Sequence, residues 1–457
     1  MQFARLCCGA LFLLFSAHLQ AEERSPAVAG QGQQPNIVVV VADDLGWADV
    51  SWHGGPYQTP HLDRLCREGV DLDQHYVSPM CSPTRAALLS GRYASRFGCT
   101  GAQNERVYPF GTTTLASALQ EVGYQTAIIG KWHLGSDPDW GPHRFGFDYG
   151  YGSLAGGCGP YNHKYKTGPF TDTWHRNSKR IAEEGHITDL LAADAVKWIE
   201  GRGEEPFFLY VPFTAVHIPL KEPQAWLDRY ADIEDPAHRQ YAASISHMDD
   251  AVAQVVAALD RTGKRKNTLS VFFSDNGGTQ ARNDDPKYPP DDYTPGRAHG
   301  NNLPLRGNKA QLYEGGIRVT AFANWPGKLQ PGKVTAPLHA ADWMPTLTAL
   351  AGWKPQSDLR WDGRNVWPWL TGGEPQPRPL YWAGTRFATA AVRSGDWKLI
   401  LTRQNDQVEL FNLGSDPYEK TNLASEQPQQ AQQLRKLLEE LAARDNDSKV
   451  QPEGSKK

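Results

Sequence analysis

Runs of β-branched and aromatic residues recur along the chain, separated by helical spacings. The first, Asn36-Ile37-Val38-Val39-Val40-Val41, is apolar at successive positions, as in a parallel strand buried on both faces. Similar runs stand at 126–129, 206–211 and 268–273. Between them, Leu62, Leu65 and Cys66 share one side of a helical pattern at 59–66, and 113–119 opens a second helix that stops near Gly123. A third follows Thr188, with Leu191, Ala195, Trp198 and Ile199 on one side. The pattern at 239–259 repeats through Ile245, Met248, Val252, Val255 and Val256, and Asp342 to Leu350 predicts a further helix. This alternation predicts an α/β fold built on a mostly parallel sheet flanked by helices. The stretches 136–180 and 281–302, rich in Gly, Pro and polar residues, predict loops.

From about 353 the texture changes. Pro, Trp and Gly punctuate 353–379, and short strand patterns follow at 380–382, 388–392, 397–401 and 408–411, before a polar helix at 427–444. These predict a smaller C-terminal α+β domain with an antiparallel sheet. The expected division is a main domain over 22–352, the small domain over 353–446, and a disordered tail over 447–457.

Composition narrows the class. The chain has 457 residues and a formal net charge of −4, with no clustered basic excess, so no nucleic-acid partner is expected. Residues 1–21 read as a signal peptide: Arg5, an apolar stretch 6–15, then Leu19-Gln20-Ala21 as a cleavage site. That stretch is too short for a membrane span, and no other candidate follows. Export to a periplasm or the exterior is the expectation, or a lysosomal-type destination in a eukaryote. Cleavage removes Cys7 and Cys8 and leaves Cys66, Cys81, Cys99 and Cys158. If Cys81 is committed to chemistry, at most one pair forms among Cys66, Cys99 and Cys158.

The candidate chemistry stands where the strands end. Asp43 and Asp44 follow the first run, Lys131 and His133 the second, His217 the third, and Asp275 and Asn276 the fourth. Ligands of open parallel sheets bind outside the carboxyl ends of the strands. Asp43, Asp44, Asp275 and Asn276 offer only oxygen donors, which suit a hard cation such as Ca²⁺, or less well Mg²⁺. Lys131, Lys309, Arg85 and the two histidines add positive charge and donors, and a cation ringed by such groups suits a tetrahedral anion. Cys81-Ser82-Pro83-Thr84-Arg85 runs into Ala86-Ala87-Leu88-Leu89. Pro83 fits a first helical turn, which places Cys81 at a helix N-terminus and Arg85 one turn on. Taken alone, the stretch reads as a thiol packed at a helix start.

Taken together, these residues resemble the sulfatase family. Cys81-Ser82-Pro83-Thr84-Arg85 matches its C-x-P-x-R signature, and Asp43-Asp44, Gly130-Lys131-Trp132-His133-Leu134-Gly135, His217, Asp275-Asn276 and Lys309 fall on its motifs in order. The resemblance covers about 35–350 and implies an alkaline-phosphatase-like fold. It implies that a maturing enzyme oxidises Cys81 to formylglycine (3-oxoalanine), and that Asp43, Asp44, Asp275, Asn276 and residue 81 bind one Ca²⁺. The hydrated aldehyde, favoured in its ionised form by Arg85, then attacks sulfur in line. Lys131 and Lys309 stabilise the sulfate oxygens, His217 with Lys309 protonates the leaving alcohol, and His133 takes the proton that lets sulfate depart. Within the family, 216–220, 300–309 and 146–151 are most similar to the arylsulfatase B branch, the N-acetylgalactosamine-4-sulfatases. That implies a sulfated saccharide of chondroitin or dermatan type as substrate. Two other readings remain: a formylglycine-dependent phosphonate or phosphate ester hydrolase, and a non-catalytic binder of sulfated glycans. The loops carrying Tyr161, His163 and Arg297 are expected to line the pocket.

Overall fold

The computed structural model describes residues 34–451; the signal peptide read at 1–21 and most of the lead-in lie outside them. Among the described residues, no helix is long and apolar enough to cross a membrane.

The predicted runs form the centre of a ten-stranded sheet. Its five adjacent parallel strands are Thr268–Ser274, Asn36–Ala42, Phe207–Pro212, Gln125–Ile129 and Tyr149–Ser153. The first strand shows why the run is continuously apolar. Ile37, Val39 and Val41 point into one core with helices Cys81–Ser90, Leu115–Gln120 and Trp343–Leu350. Val38 and Val40 point into the other, with helices Pro60–Arg67, Ile187–Glu200 and Pro236–Arg261. A layer of helices on each face leaves no solvated side for alternation to mark. The sheet continues through antiparallel neighbours, Ala321–Asn324 at one side and Trp174–Arg176 at the other, and beyond Ala321–Asn324 through Val70–Leu72 and Gly332–Val334.

The stretch 136–180 is not all loop. Tyr149–Ser153 is the fifth parallel strand, and Trp174–Arg176 and Lys179–Arg180 extend the sheet beyond it. Tyr-Gly-Tyr-Gly-Ser carries no apolar run because its tyrosines turn their hydroxyls to Asp194 and Glu183 rather than ending in a dry core.

The C-terminal sheet is antiparallel, in the order Leu380–Ala383, Thr389–Ser394, Trp397–Thr402, Gln407–Asn412. One face packs Val392, Leu399 and Leu410 against Leu434 and Leu438 of helix Pro428–Ala442. The other packs Trp382, Ile400 and Phe411 against Tyr76, Leu312 and Ile317 of the main body. Two expected boundaries move. Trp353, Val366, Trp369 and Leu370 are buried in the core under the large sheet, so the change of texture at 353 precedes the change of packing. Residues 447 and 448, expected to open a disordered tail, are hydrogen-bonded to the main body, and 452–457 lie outside the described residues. Asp447 and Ser448 accept from Arg92, and the Ser448 amide donates to the Arg96 carbonyl at 2.8 Å. All four described cysteines, Cys66, Cys81, Cys99 and Cys158, are buried and free; none is paired.

Candidate active site at the carboxyl ends of the strands

Backbone pairing continues past the ends of the strands and fixes where the polar residues sit. The Asp43 amide donates to the Ala215 carbonyl, Asp275 to Ala42, and Lys131 to Pro212, all at 2.8–2.9 Å. Adjacent strands thus deliver Asp43, Asp275, Lys131 and the loop to His217 to one edge. Gly130 makes this approach possible: with φ at +143°, a Cβ there would stand 2.0 Å from the Pro212 carbonyl oxygen. Two non-glycine residues at the same edge, Asp44 and His133, also hold positive φ, at 64° and 55°. Such backbone is uncommon outside glycine, though Asp and His adopt it more readily than most, and it is held here by the surrounding ladder.

Helix Cys81–Ser90 starts at the cluster, as Pro83 predicts. Cys81 Sγ lies 3.3 Å from His133 Nδ1, and its sulfur, with a carboxylate oxygen of Asp43 and one of Asp275, falls within a sphere of mutual distances under 4.8 Å. The Arg85 guanidinium is buried against Asp275, with Nη2–Oδ2 at 2.6 Å and Nε–Oδ2 at 3.0 Å, and Nη1 donates to the Lys131 carbonyl. Lys131 Nζ meets Asp43 Oδ2 at 2.5 Å. Lys309 Nζ meets both oxygens of Asp44, at 2.6 and 2.8 Å. Asn276 Nδ2 donates to Asp44 Oδ1 at 2.8 Å. His217 Nε2 stands 3.8 Å from Asp44 Oδ2, and its Nδ1 contacts the Ile218 carbonyl. Every site residue expected from the sequence is therefore in one cluster. Only Lys309 and His217 reach its opening, at 15% and 13% side-chain exposure, while Asp43, Lys131, Arg85 and Asp275 have none.

The electrostatics follow from burial. Burial pushes Asp43 up to about 7, with Asp275 adding to it and Lys131 opposing. Burial pushes Asp44 the same way, but Lys309, His217 and Lys131 outweigh it and hold it below the usual carboxylate range. Burial drives His133 and His217 well below the ordinary imidazole value, helped by Lys131 and Lys309 respectively. Burial also raises the Cys81 thiol, against Lys131 and Lys309. The helix terminus does not make it a thiolate, so as a cysteine it is a poor nucleophile here.

The donor set fits a divalent cation. Asp43 Oδ1 and Asn276 Oδ1 are buried with no hydrogen-bond partner among the described residues, and Asp43 has carboxylate oxygens of both Asp44 and Asp275 within 4.8 Å of one of its own. Orphaned oxygens facing like charges are costly unless a cation joins them. All the assembled donors other than Cys81 and the histidines are oxygens.

Of the expected rim residues, Tyr161 and Arg297 are exposed. His163 is buried, bonds the Gly185 carbonyl and stacks on Trp174 at 4.7 Å, lining a separate cavity with Asn162 and Glu183 rather than the catalytic cluster. Arg297 donates to the Gln280 carbonyl. Tyr288, which no motif marks, is buried with its hydroxyl unpartnered, and both it and His217 border Gly157. A lone Tyr in a polar loop carries no sequence signal for this placement.

Comparison with known proteins agrees with the geometry. The family described as Sulfatase matches residues 35–353. The chain is 31% identical to arylsulfatase J of Mus musculus, across 93% of this chain and 79% of that protein. It is 33% identical to N-acetylgalactosamine-6-sulfatase of Mus musculus, across 85% and 76%. Among solved structures it superposes on Ps i-CgsB in complex with k-i-k-neocarrahexaose with a TM-score of 0.82 at 31% identity, covering 92% of this chain and 96% of that one. The family generally uses a formylglycine and a divalent metal, and the acidic groups gathered here are candidate ligands for such a metal. The chain belongs to the sulfatase family and is a sulfuric ester hydrolase.

Proposed function

We propose that this sulfatase removes the sulfate of an N-acetylgalactosamine 4-sulfate unit of chondroitin or dermatan type, using residue 81 as formylglycine and Ca²⁺ as its metal. The observation that carries the site assignment is the pair of orphaned oxygens, Asp43 Oδ1 and Asn276 Oδ1, beside Cys81 and two lysines. The net reaction consumes one water and gives the free sugar hydroxyl, sulfate and a proton.

Asp43, Asp44, Asp275 and Asn276 would hold the cation. The cation and the aldehyde made from Cys81 by a maturing enzyme together supply electrophilic charge and an oxygen nucleophile. The chain's own residues do the rest. Lys131 and Lys309 orient Asp43 and Asp44 and present positive charge to the sulfate oxygens, where charge builds as the ester bond breaks. His217, at the opening, is placed to protonate the departing sugar oxygen through Nε2. Burial and Lys309 keep its ring neutral until a negative sulfate offsets them. His133, 3.3 Å from the atom at position 81, is placed to take the proton that regenerates the aldehyde. Arg85, enclosed by Asp275 and the Lys131 carbonyl, is a positioning residue: it holds the carboxylate that holds the metal. Export is part of this reading and rests on the signal-like 1–21 stretch.

The position of the sulfate is the finer claim. It rests on the likeness of 216–220 and 300–309 to the 4-sulfatase branch, while one relative above is named a 6-sulfatase and a structural neighbour holds a neocarrahexaose. The test is sulfate released from N-acetylgalactosamine 4-sulfate, its 6-sulfate isomer, neocarrahexaose and an aryl phosphate, with a mass spectrum of the peptide containing residue 81. Faster release from the 4-sulfate supports the proposal. Preference for the 6-sulfate or the carrageenan oligosaccharide rejects that substrate, and preference for aryl phosphate rejects sulfate as the favoured leaving group. An unmodified thiol in an active preparation rejects the nucleophile.

A further inference from the structure

A second group of ligating side chains lies behind His217 and takes no part in the chemistry above. His186 caps helix Ile187–Glu200, and Asp189 sits in its first turn. His247 projects from the middle of helix Pro236–Arg261. Glu222 stands on the loop that leaves strand Phe207–Pro212, five positions after His217. We propose that His186, His247 and Asp189 bind one zinc-type transition-metal ion, with Glu222 behind His247.

Several independent features support this. One ligating atom from each of His186, Asp189 and His247 falls within 4.8 Å of the others. His247 Nε2 is 2.9 Å from Asp189 Oδ1, and His247 Nδ1 is 2.7 Å from Glu222 Oε2. Glu222 Oε1 faces His186 Nε2 at 3.6 Å. His186 is 4% exposed, and its Nε2, aimed into the group, has no hydrogen-bond partner among the described residues. Two imidazoles and a carboxylate suit Zn²⁺ or Co²⁺ and disfavour Ca²⁺, the reverse of the oxygen set at Asp43. A carboxylate on the second nitrogen of a ligating histidine fixes its tautomer and strengthens it as a donor, which is where Glu222 stands on His247. Trp226 stacks on the His247 ring at 4.7 Å and excludes water from that side. Asp189, 57% exposed, gives an ion its way in.

Without a metal, Asp189 and Glu222 hold a proton on each nitrogen of His247. Binding therefore releases the Nε2 proton to solvent while Glu222 keeps the one on Nδ1. His186 accepts the Thr188 amide at Nδ1 over a long 3.3 Å contact, which it yields when its own proton moves from Nε2 to Nδ1. The bound ion would tie two helices to the loop carrying His217.

The test is a Co²⁺ titration of the full-length protein, followed by visible absorption, with proton release measured by calorimetry in two buffers. The expected result is one Co²⁺ per chain giving the intense bands of a nitrogen-ligated, four-coordinate ion, with about one proton released. These bands disappear in His247→Gln and in His186→Ala, and persist in Asp275→Asn, which alters only the oxygen site. His186→Ala, at the edge of the group, decides the matter if His247→Gln does not fold. Weak octahedral bands alone in the parent protein, or intense bands that survive His186→Ala, would overturn the site and leave an imidazolium clamped by two carboxylates.

Discussion

The molecule buries two ionic clusters of similar composition, and they are built for different ends. At the C-terminal sheet, Lys398 Nζ lies 2.8 Å from Glu314 and 2.8 Å from Glu419, with Arg393 and Glu314 both bound to the Tyr76 hydroxyl. At the active site, Asp43, Asp44 and Asp275 meet Lys131, Lys309 and Arg85. Apart from Lys309 at the opening, the lysines and carboxylates are buried in both. The difference is direction. In the first cluster the lysine sits between the two carboxylates and joins the sheet to the main body. In the second the cations stand outside, and the carboxylates turn remaining oxygens toward one another and toward Cys81. A buried network closed on itself holds a structure; one left open at its centre holds a ligand.

The largest effect expected is at the open cluster. Cys81→Ser should lower turnover by about a thousandfold or more, since the thiol that the maturing enzyme oxidises is lost and no aldehyde forms at 81. Melting temperature and divalent-metal content should stay near the parent's, as read by calorimetry and elemental analysis. Turnover within a few-fold of the parent would remove the basis for formylglycine at 81.

The same lesion placed in each cluster sharpens the contrast. Lys131→Met should cut the rate by about 10²–10³. With Ca²⁺ present it should cost little stability, because the cation compensates Asp43. Lys398→Met should do the opposite. Stability should fall by about 3–5 kcal/mol, as two carboxylates are left buried and unpaired, while the rate per folded molecule and the metal content are unchanged. Denaturant melts alongside initial rates separate the two outcomes, and equal stability losses for both variants would erase the distinction.

The smallest effect is in acid. Burial raises Glu314, but Lys398, Arg318 and Arg393 outweigh it and hold it below its ordinary value of 4.5. The unfolded chain then binds the proton first, so Glu314 contributes stability above that value and loses it as pH falls through the depressed one. Glu314→Gln should therefore flatten the decline of stability below about pH 4.5, measured as urea midpoints at stepped pH. An unchanged slope would place the acid lability elsewhere.

Much of this was legible in the chain itself. Val38 to Val41 could only be a strand covered on both faces, and Pro83 could only follow a helix start. The motifs at 43–44, 81–85, 130–135 and 275–276 carry their chemistry as residue types. Tyr149–Ser153 escaped because alternating Gly and Tyr has no apolar signature, and its place in the sheet depends on partners far along the chain. Ala321–Asn324 and Val70–Leu72 are too short for a period to show. His186, Asp189, Glu222 and His247 are spread over more than sixty positions on three segments, with no spacing that marks them as neighbours.

The sequence by itself determined the parallel core and the kinds of group at the ends of its strands, because apolar runs must be buried and the polar residues that end them must lie at the sheet's edge. Only the tertiary structure decided which oxygens were left without partners. It closed the buried charge around Lys398 with a cation at the centre, and it turned Asp43 and Asn276 toward an open centre beside Cys81. That choice depends on which side chains face one another across strands, and facing is set by packing rather than by order along the chain.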